Sequence, residues 1–127
     1  MSLRSPLGVV LGRGAAKSGV HHWWVQRVSA VALVPLTLWL LWSLAQLRLA
    51  DHAAVSVWIA GGWHPVLLSL TLLTMCWHSL LGVQVVIEDY VHHHLTKTLT
   101  MLAVNFAHVL TAAAGVYAVL RIAFRSV

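Results

Sequence analysis

The chain has 127 residues, of which 60% are hydrophobic and 9% charged, and its mean hydropathy is +0.84. Soluble domains carry about 25% charged residues, and a soluble monomer of this size could not hide so much apolar surface, so the composition excludes a water-soluble enzyme and points to the bilayer as solvent. Eight Lys and Arg against three acids give a formal charge of +5; they flank apolar runs instead of forming a stripe, which marks them as topology and headgroup signals and excludes nucleic acid as a partner.

The first 27 residues contain Arg4, Arg13, Lys17 and Arg27, four glycines and no acid. Residues 28–47 then form an apolar run interrupted only by Ser29, Thr37, Ser43 and Gln46. About 20 residues are enough to cross a hydrocarbon core. Pro35 lies inside this run and is predicted to kink its helix, which membrane helices tolerate when neighbours re-satisfy the backbone. The run is too long and too late for a cleaved secretion signal, and no small-x-small cleavage site follows it, so a retained span is expected.

Arg48, Asp51 and His52 make a short polar break. Trp58, Gly61, Gly62, Trp63 and His64 read as an interfacial segment, and Pro65 suits the first turn of a helix. A second apolar run covers residues 66–87 and ends at Glu88 and Asp89, followed by Tyr90 and the tract His92, His93, His94. A third covers residues 99–124, flanked by Lys97, Arg121 and Arg125. The expected fold is therefore an all-α membrane protein with three transmembrane helices in a single domain over residues 1–127. A lone cysteine, Cys76, excludes an internal disulfide and reads as an inert thiol within an apolar span.

An orientation with the N-terminus inside places Arg4, Arg13, Lys17, Arg27 and Lys97 on the inner side and Arg48, Arg121 and Arg125 on the outer side. The positive-inside rule thus favours N-terminus inside and C-terminus outside. Trp23, Trp24, Trp58 and Trp63 fall near the predicted span ends, as an aromatic belt would.

Ionisable groups at membrane depth are functional candidates. His78 lies in the middle of the second run and His108 well inside the third. A neutral imidazole is a common ligand for metals, heme iron included. His78, Gly82, Val85 and Asp89 recur on one helical face. Gly82, one turn from His78, leaves room for a flat macrocycle against the helix, and Asp89 lies about 16 Å further along. Tyr90 follows, where a phenol meets water and headgroups. Each feature has a plainer explanation: a histidine bonded to a neighbouring helix, a glycine admitting a close helix approach, an interfacial tyrosine. His92 to His94 are consecutive and not expected to converge on a metal; His21 and His22 read as interfacial. Arg27, where the first span enters, is a snorkelling anchor that also stands at the right end to pair with a carboxylate or a heme propionate. His78 and His108 sit at similar depth, but directly packed helices about 8–10 Å apart leave little room for a porphyrin between them.

The stretch His78-Ser-Leu-Leu-Gly82-Val-Gln-Val-Val-Ile-Glu-Asp89-Tyr90 has the form H-x3-G-x6-D-Y. It resembles the hydrophobic membrane anchor of succinate dehydrogenase, respiratory complex II. Trp23-Trp24-Val-Gln-Arg27-Val-Ser29-Ala resembles that family's entry to its first helix. The resemblance implies that His78 is an axial ligand of heme b, with the second ligand from a second membrane anchor in the same complex. It implies that Arg27 contacts a heme propionate, and that Tyr90, supported by Asp89, hydrogen-bonds ubiquinone, the substrate, at the inner face. It further implies a flavoprotein subunit and an iron–sulfur subunit, since this chain has neither a Rossmann glycine signature nor a cysteine cluster. His108 and the triple histidine lie outside the motif.

Two other readings stay open at this point: a fumarate reductase or other cytochrome b anchor, and a structural membrane anchor without a redox cofactor. The expected location is the bacterial cytoplasmic membrane rather than the mitochondrial inner membrane, because the basic N-terminal segment is short and joined directly to the first span.

Overall fold

The computed structural model describes residues 17–47 and 51–125; Arg4, Arg13, Arg48 and the side chain of Lys17 lie outside what it describes. Four helices follow one another: α1 (Lys17–Gln46), α2 (His52–Ala60), α3 (His64–Tyr90) and α4 (His94–Arg125). Three of them, over Val20–Gln46, His64–Tyr90 and His94–Arg125, are long and apolar enough to cross a membrane. The three expected spans are therefore present, and each helix outruns its apolar core at one or both ends. Helical hydrogen bonds are satisfied within the segment, so nothing forces the helix to stop at the hydrocarbon boundary. α1 continues unbroken through Pro35. Two residues on, the Thr37 hydroxyl donates to Leu33 O at 2.6 Å and Val34 O at 3.1 Å.

The segment between the first two spans holds a helix that the apolar pattern did not announce. Asp51 caps α2, its Oδ1 accepting from the amides of Ala53 at 2.9 Å and Ala54 at 3.3 Å. Gly62, with φ +51°, makes the turn into α3, a backbone region that glycine enters without a Cβ penalty. Pro65 stands in the first turn of α3, where its missing N–H costs nothing. The imidazole of His64 donates from Nδ1 to Trp58 O at 2.6 Å and stacks 4.8 Å from the Trp58 ring, with Trp39 of α1 beyond it at 6.0 Å. This aromatic stack ties α1, α2 and the start of α3 together at one end of the molecule. At the other end Lys97 Nζ donates to Glu88 O at 3.0 Å, placing a cation on the last carbonyls of α3.

The spans form a row. α3 packs against both α1 and α4, and among the described residues the α1 and α4 backbones do not come close to one another. At the α3–α4 seam a Cβ on Gly115 would collide with the Leu72 side chain, so the glycine admits a close approach. Gln84 Nε2 donates to Asn105 Oδ1 across the same seam at 3.1 Å. A row of three helices encloses little: Leu36, Leu81 and Ile87 are the buried apolar side chains among the described residues. The long apolar faces left outside suit lipid tails and other membrane helices, which are their solvent.

Candidate functional site

Because α4 does not reach α1 among the described residues, the seam between α1 and α3 stays open. On one flank it widens into a cleft of about 750 Å³. From α3 the cleft is lined by His78, Gly82, Val85 and Glu88, at helical spacing along one side of the rod. From α1 it is lined by His22, Trp23, Gln26, Arg27 and Ala30. α1 and α3 run in opposite directions, so the beginning of the one meets the end of the other, and the charged groups collect at one mouth of the cleft. A Cβ on Gly82 would meet only Gln26 Nε2, at 3.7 Å. The missing side chain is thus not a helix-packing contact, and it leaves a flat wall one turn from the imidazole.

His78 is half-buried and held from α1. Its Nδ1 lies 2.9 Å from Ser29 Oγ, and its Nε2 lies 3.4 Å from Gln26 Nε2. The Ser29 hydroxyl in turn donates to Gln26 O at 2.9 Å. Gln26 Oε1 is buried with no hydrogen-bond partner. Arg27 is exposed, its guanidinium carbon 5.6 Å from the Trp23 ring centroid, a cation–π contact that holds the charge beside the cleft.

The structure brings together two of the four residues singled out from the sequence, His78 and Arg27, and adds Gly82 and Val85 from the predicted stripe. Asp89 and Tyr90 end the same helix but do not line the cleft; both are exposed, Tyr90 to 78%. Their neighbour Glu88 lines it instead. His22, expected to be merely interfacial, also lines it. Gln26 and Ser29 were invisible as site residues, because what marks them is a contact with a histidine 52 and 49 positions away.

His108 belongs elsewhere. Its Nδ1 donates to Val104 O within its own helix at 2.8 Å, and its Nε2 is 3.3 Å from Ser79 Oγ of α3. It opens on a cleft of about 260 Å³ between α3 and α4, with Cys76 and Thr111. His78 and His108 thus face different seams and cannot clamp one macrocycle between them. His92, His93 and His94 are all exposed, and the first two bond locally, to Tyr90 O at 3.1 Å and Thr96 Oγ1 at 3.4 Å. Among the described residues no group of three or more His, Cys, Asp or Glu side chains is placed to hold a metal ion.

The donor set in the α1–α3 cleft suits a metallomacrocycle better than a bare ion. One imidazole would supply a single nitrogen, the glycine wall leaves room for a flat ring, and at the mouth Arg27 would meet peripheral carboxylates, with the Glu88 carboxylate kept away from them. The orphaned Oε1 of Gln26 marks a buried polar spot beside His78 that is unsatisfied as the chain stands alone.

Comparisons with known proteins bear on what such a cleft is for. The family described as succinate dehydrogenase/fumarate reductase transmembrane subunit matches residues 1–114. Among curated relatives, the succinate dehydrogenase hydrophobic membrane anchor subunit of Rickettsia bellii is 36% identical over 106 residues, covering 84% of this chain and 85% of the relative. The protein of the same name from Rickettsia conorii is 32% identical, covering 83% and 84%. The succinate dehydrogenase membrane anchor subunit of Reclinomonas americana is 30% identical over 93 residues, covering 70% and 77%. No solved structure matches the chain. With three membrane helices, this cleft and these relatives, the chain belongs to the succinate dehydrogenase/fumarate reductase transmembrane subunit family.

Proposed function

We propose that the chain is a membrane anchor subunit of a bacterial succinate:quinone oxidoreductase, that His78 is one axial ligand of a heme b, and that the inner end of α3 contributes to a ubiquinone-reduction site. The observation that carries the reading is the α1–α3 cleft: a held imidazole, a bare helix wall at Gly82 and the Arg27 guanidinium at one mouth, with Glu88 across from it. The named relatives, all described as succinate dehydrogenase anchors, favour succinate oxidation over the fumarate reductase alternative.

In this reading Arg27 and His22 bind the carboxylates of the group, and Gly82 and Val85 form its apolar wall. The group, when bound, supplies one-electron redox chemistry. The cleft is open on one flank, so its other wall and the second ligand come from a partner, a second membrane anchor. A flavoprotein subunit and an iron–sulfur subunit sit on the inner side and deliver electrons from succinate, whose two-electron oxidation to fumarate is matched by reduction of the quinone to quinol. The exposed Tyr90 hydroxyl is free to donate to a quinone carbonyl, and Asp89 stands beside it. Both lie at the membrane interface, where a polar headgroup with an apolar tail belongs.

In this reading the N-terminus is inside, supported by Arg4, Arg13, Lys17, Arg27 and Lys97 on the inner side against Arg48, Arg121 and Arg125 on the outer. The test is to purify the chain with its co-purifying subunits in mild detergent and record a dithionite-reduced minus oxidised spectrum. A b-type signal together with succinate–quinone activity is expected. An intact complex without heme would overturn the ligand assignment and leave a structural anchor.

A further inference from the structure

Ser29 is 7% exposed, sits at mid-seam on α1 and meets His78 through its hydroxyl. From its geometry we infer that Ser29 is the positioning residue of the axial imidazole: it fixes the ring on α3 and the tautomer that leaves Nε2 free to bind iron. The inference rests on ligation by His78.

The chemistry follows from counting protons. A neutral imidazole carries one N–H. A ring that gives its Nε2 lone pair to a metal must carry that proton on Nδ1, and a buried N–H needs an acceptor. The acceptor 2.9 Å away is Ser29 Oγ. A hydroxyl can accept only if its own proton is placed elsewhere, and Gln26 O lies 2.9 Å from the same oxygen. The chain His78 Nδ1–H to Ser29 Oγ, Ser29 O–H to Gln26 O is therefore complete, with each donor and acceptor used in one direction. The Gln26 side-chain amide stands 3.4 Å from Nε2, on the side where iron would bind, and would turn aside when the group is seated. All three of these partner groups come from α1, across 49 or more positions of sequence, so the first span orients a ligand that the second span carries.

Ser29 also has room for a conservative test. It also lines a second opening of about 470 Å³, with Val25, Thr74 and Trp77, which offers space for an added methyl. The whole complex, expressed with its partner subunits, is compared as wild type, Ser29→Ala and Ser29→Thr. Heme content is read by pyridine hemochrome, and the midpoint potential by potentiometric titration.

Losing the acceptor leaves Nδ1–H unpaired and the ring a weaker donor to ferric iron. Ser29→Ala should shift the midpoint upward and weaken heme retention by roughly 10- to 100-fold. Ser29→Thr, which keeps the hydroxyl, should restore both towards wild type. Unchanged potential and retention in Ser29→Ala would overturn the inference while leaving ligation by His78 intact. Equal impairment of the Ala and Thr variants would reduce Ser29 to a packing residue and also overturn it. A wild-type complex that holds no heme would overturn the ligand assignment itself, and this inference with it.

Discussion

Gly82 offers a sharp separation between a packing glycine and a ligand-wall glycine. A Cβ added there meets only Gln26 Nε2, at an ordinary contact distance of 3.7 Å. Alanine should therefore fit, and the helix itself should gain about 0.5–1 kcal/mol from it. Leucine projects three further carbons along the wall of the 750 Å³ cleft, one turn from His78. The cleft has space for them, so the subunit should still fold and assemble. A macrocycle lying against that wall would have to be displaced or tilted, an overpacking cost of about 1–3 kcal/mol, which is a roughly 5- to 150-fold loss of heme affinity. The assay is the heme-to-protein ratio of the purified complex, read beside its melting temperature. Gly82→Ala should keep both, and Gly82→Leu should lose heme while melting no lower than His78→Ala, which loses the group without filling the wall. Full heme occupancy in Gly82→Leu would refute the placement of the ring against α3, and a melting temperature well below that of His78→Ala would show Gly82 to be a packing residue after all.

His78→Ala removes the axial nitrogen, so the low-spin b-type spectrum should vanish or turn high-spin; an unchanged reduced-minus-oxidised spectrum would sink the assignment. Tyr90→Phe keeps the ring and loses the hydroxyl, and should lower quinone reduction well below succinate oxidation by an artificial acceptor, whereas equal loss in both assays would remove Tyr90 from the quinone site. Gly115→Leu forces a side chain into Leu72 at the α3–α4 seam and should destabilise the subunit by about 1–3 kcal/mol, visible as a lower melting temperature; no change in melting would mean that the seam is not tightly packed.

The spans were legible because twenty-residue apolar runs admit one interpretation, and the His78–Gly82–Val85 face because an isolated helix fixes which residues share a side. Where the cleft ends was not legible. On a helical wheel Asp89 lies about 20° from His78 and Glu88 about 80°, yet Glu88 lines the cleft. Which of the two does so depends on where α1 lies against α3, and a wheel contains one helix only. Ser29 and Gln26 are not marked by helical spacing for the same reason: their significance is a contact with another span. The separation of His78 from His108 is also tertiary, since equal depth places two residues in one plane but does not say which seam each faces. The missed α2 had a local signal, Asp51 before an alanine-rich stretch. It was hidden by its brevity and by the arginine and glycines around it.

The order of the helices explains why, on the proposed reading, this chain would hold one side of a cofactor and not the whole of it. Had α4 folded back on α1, the three spans would have closed a bundle and filled the α1–α3 seam with their own side chains. Their backbones stay apart among the described residues, and α3 is held from α4 by the Gln84–Asn105 bond and the Gly115–Leu72 approach. The side of α3 that bears His78 therefore meets only α1, and the two antiparallel helices present their charged ends together at one mouth. His22, Arg27 and Glu88 gather there from opposite ends of the sequence order, while Ser29 and Gln26 grip the imidazole deeper in the seam. On the proposed reading a flat group in such a cleft would be served on one side by this chain, its other side left to a helix from another protein chain. The same group would then link two anchors whose association in lipid has no hydrophobic driving force. On this argument the loss of heme from His78→Ala should weaken the association of the two anchors as well as bleach the spectrum.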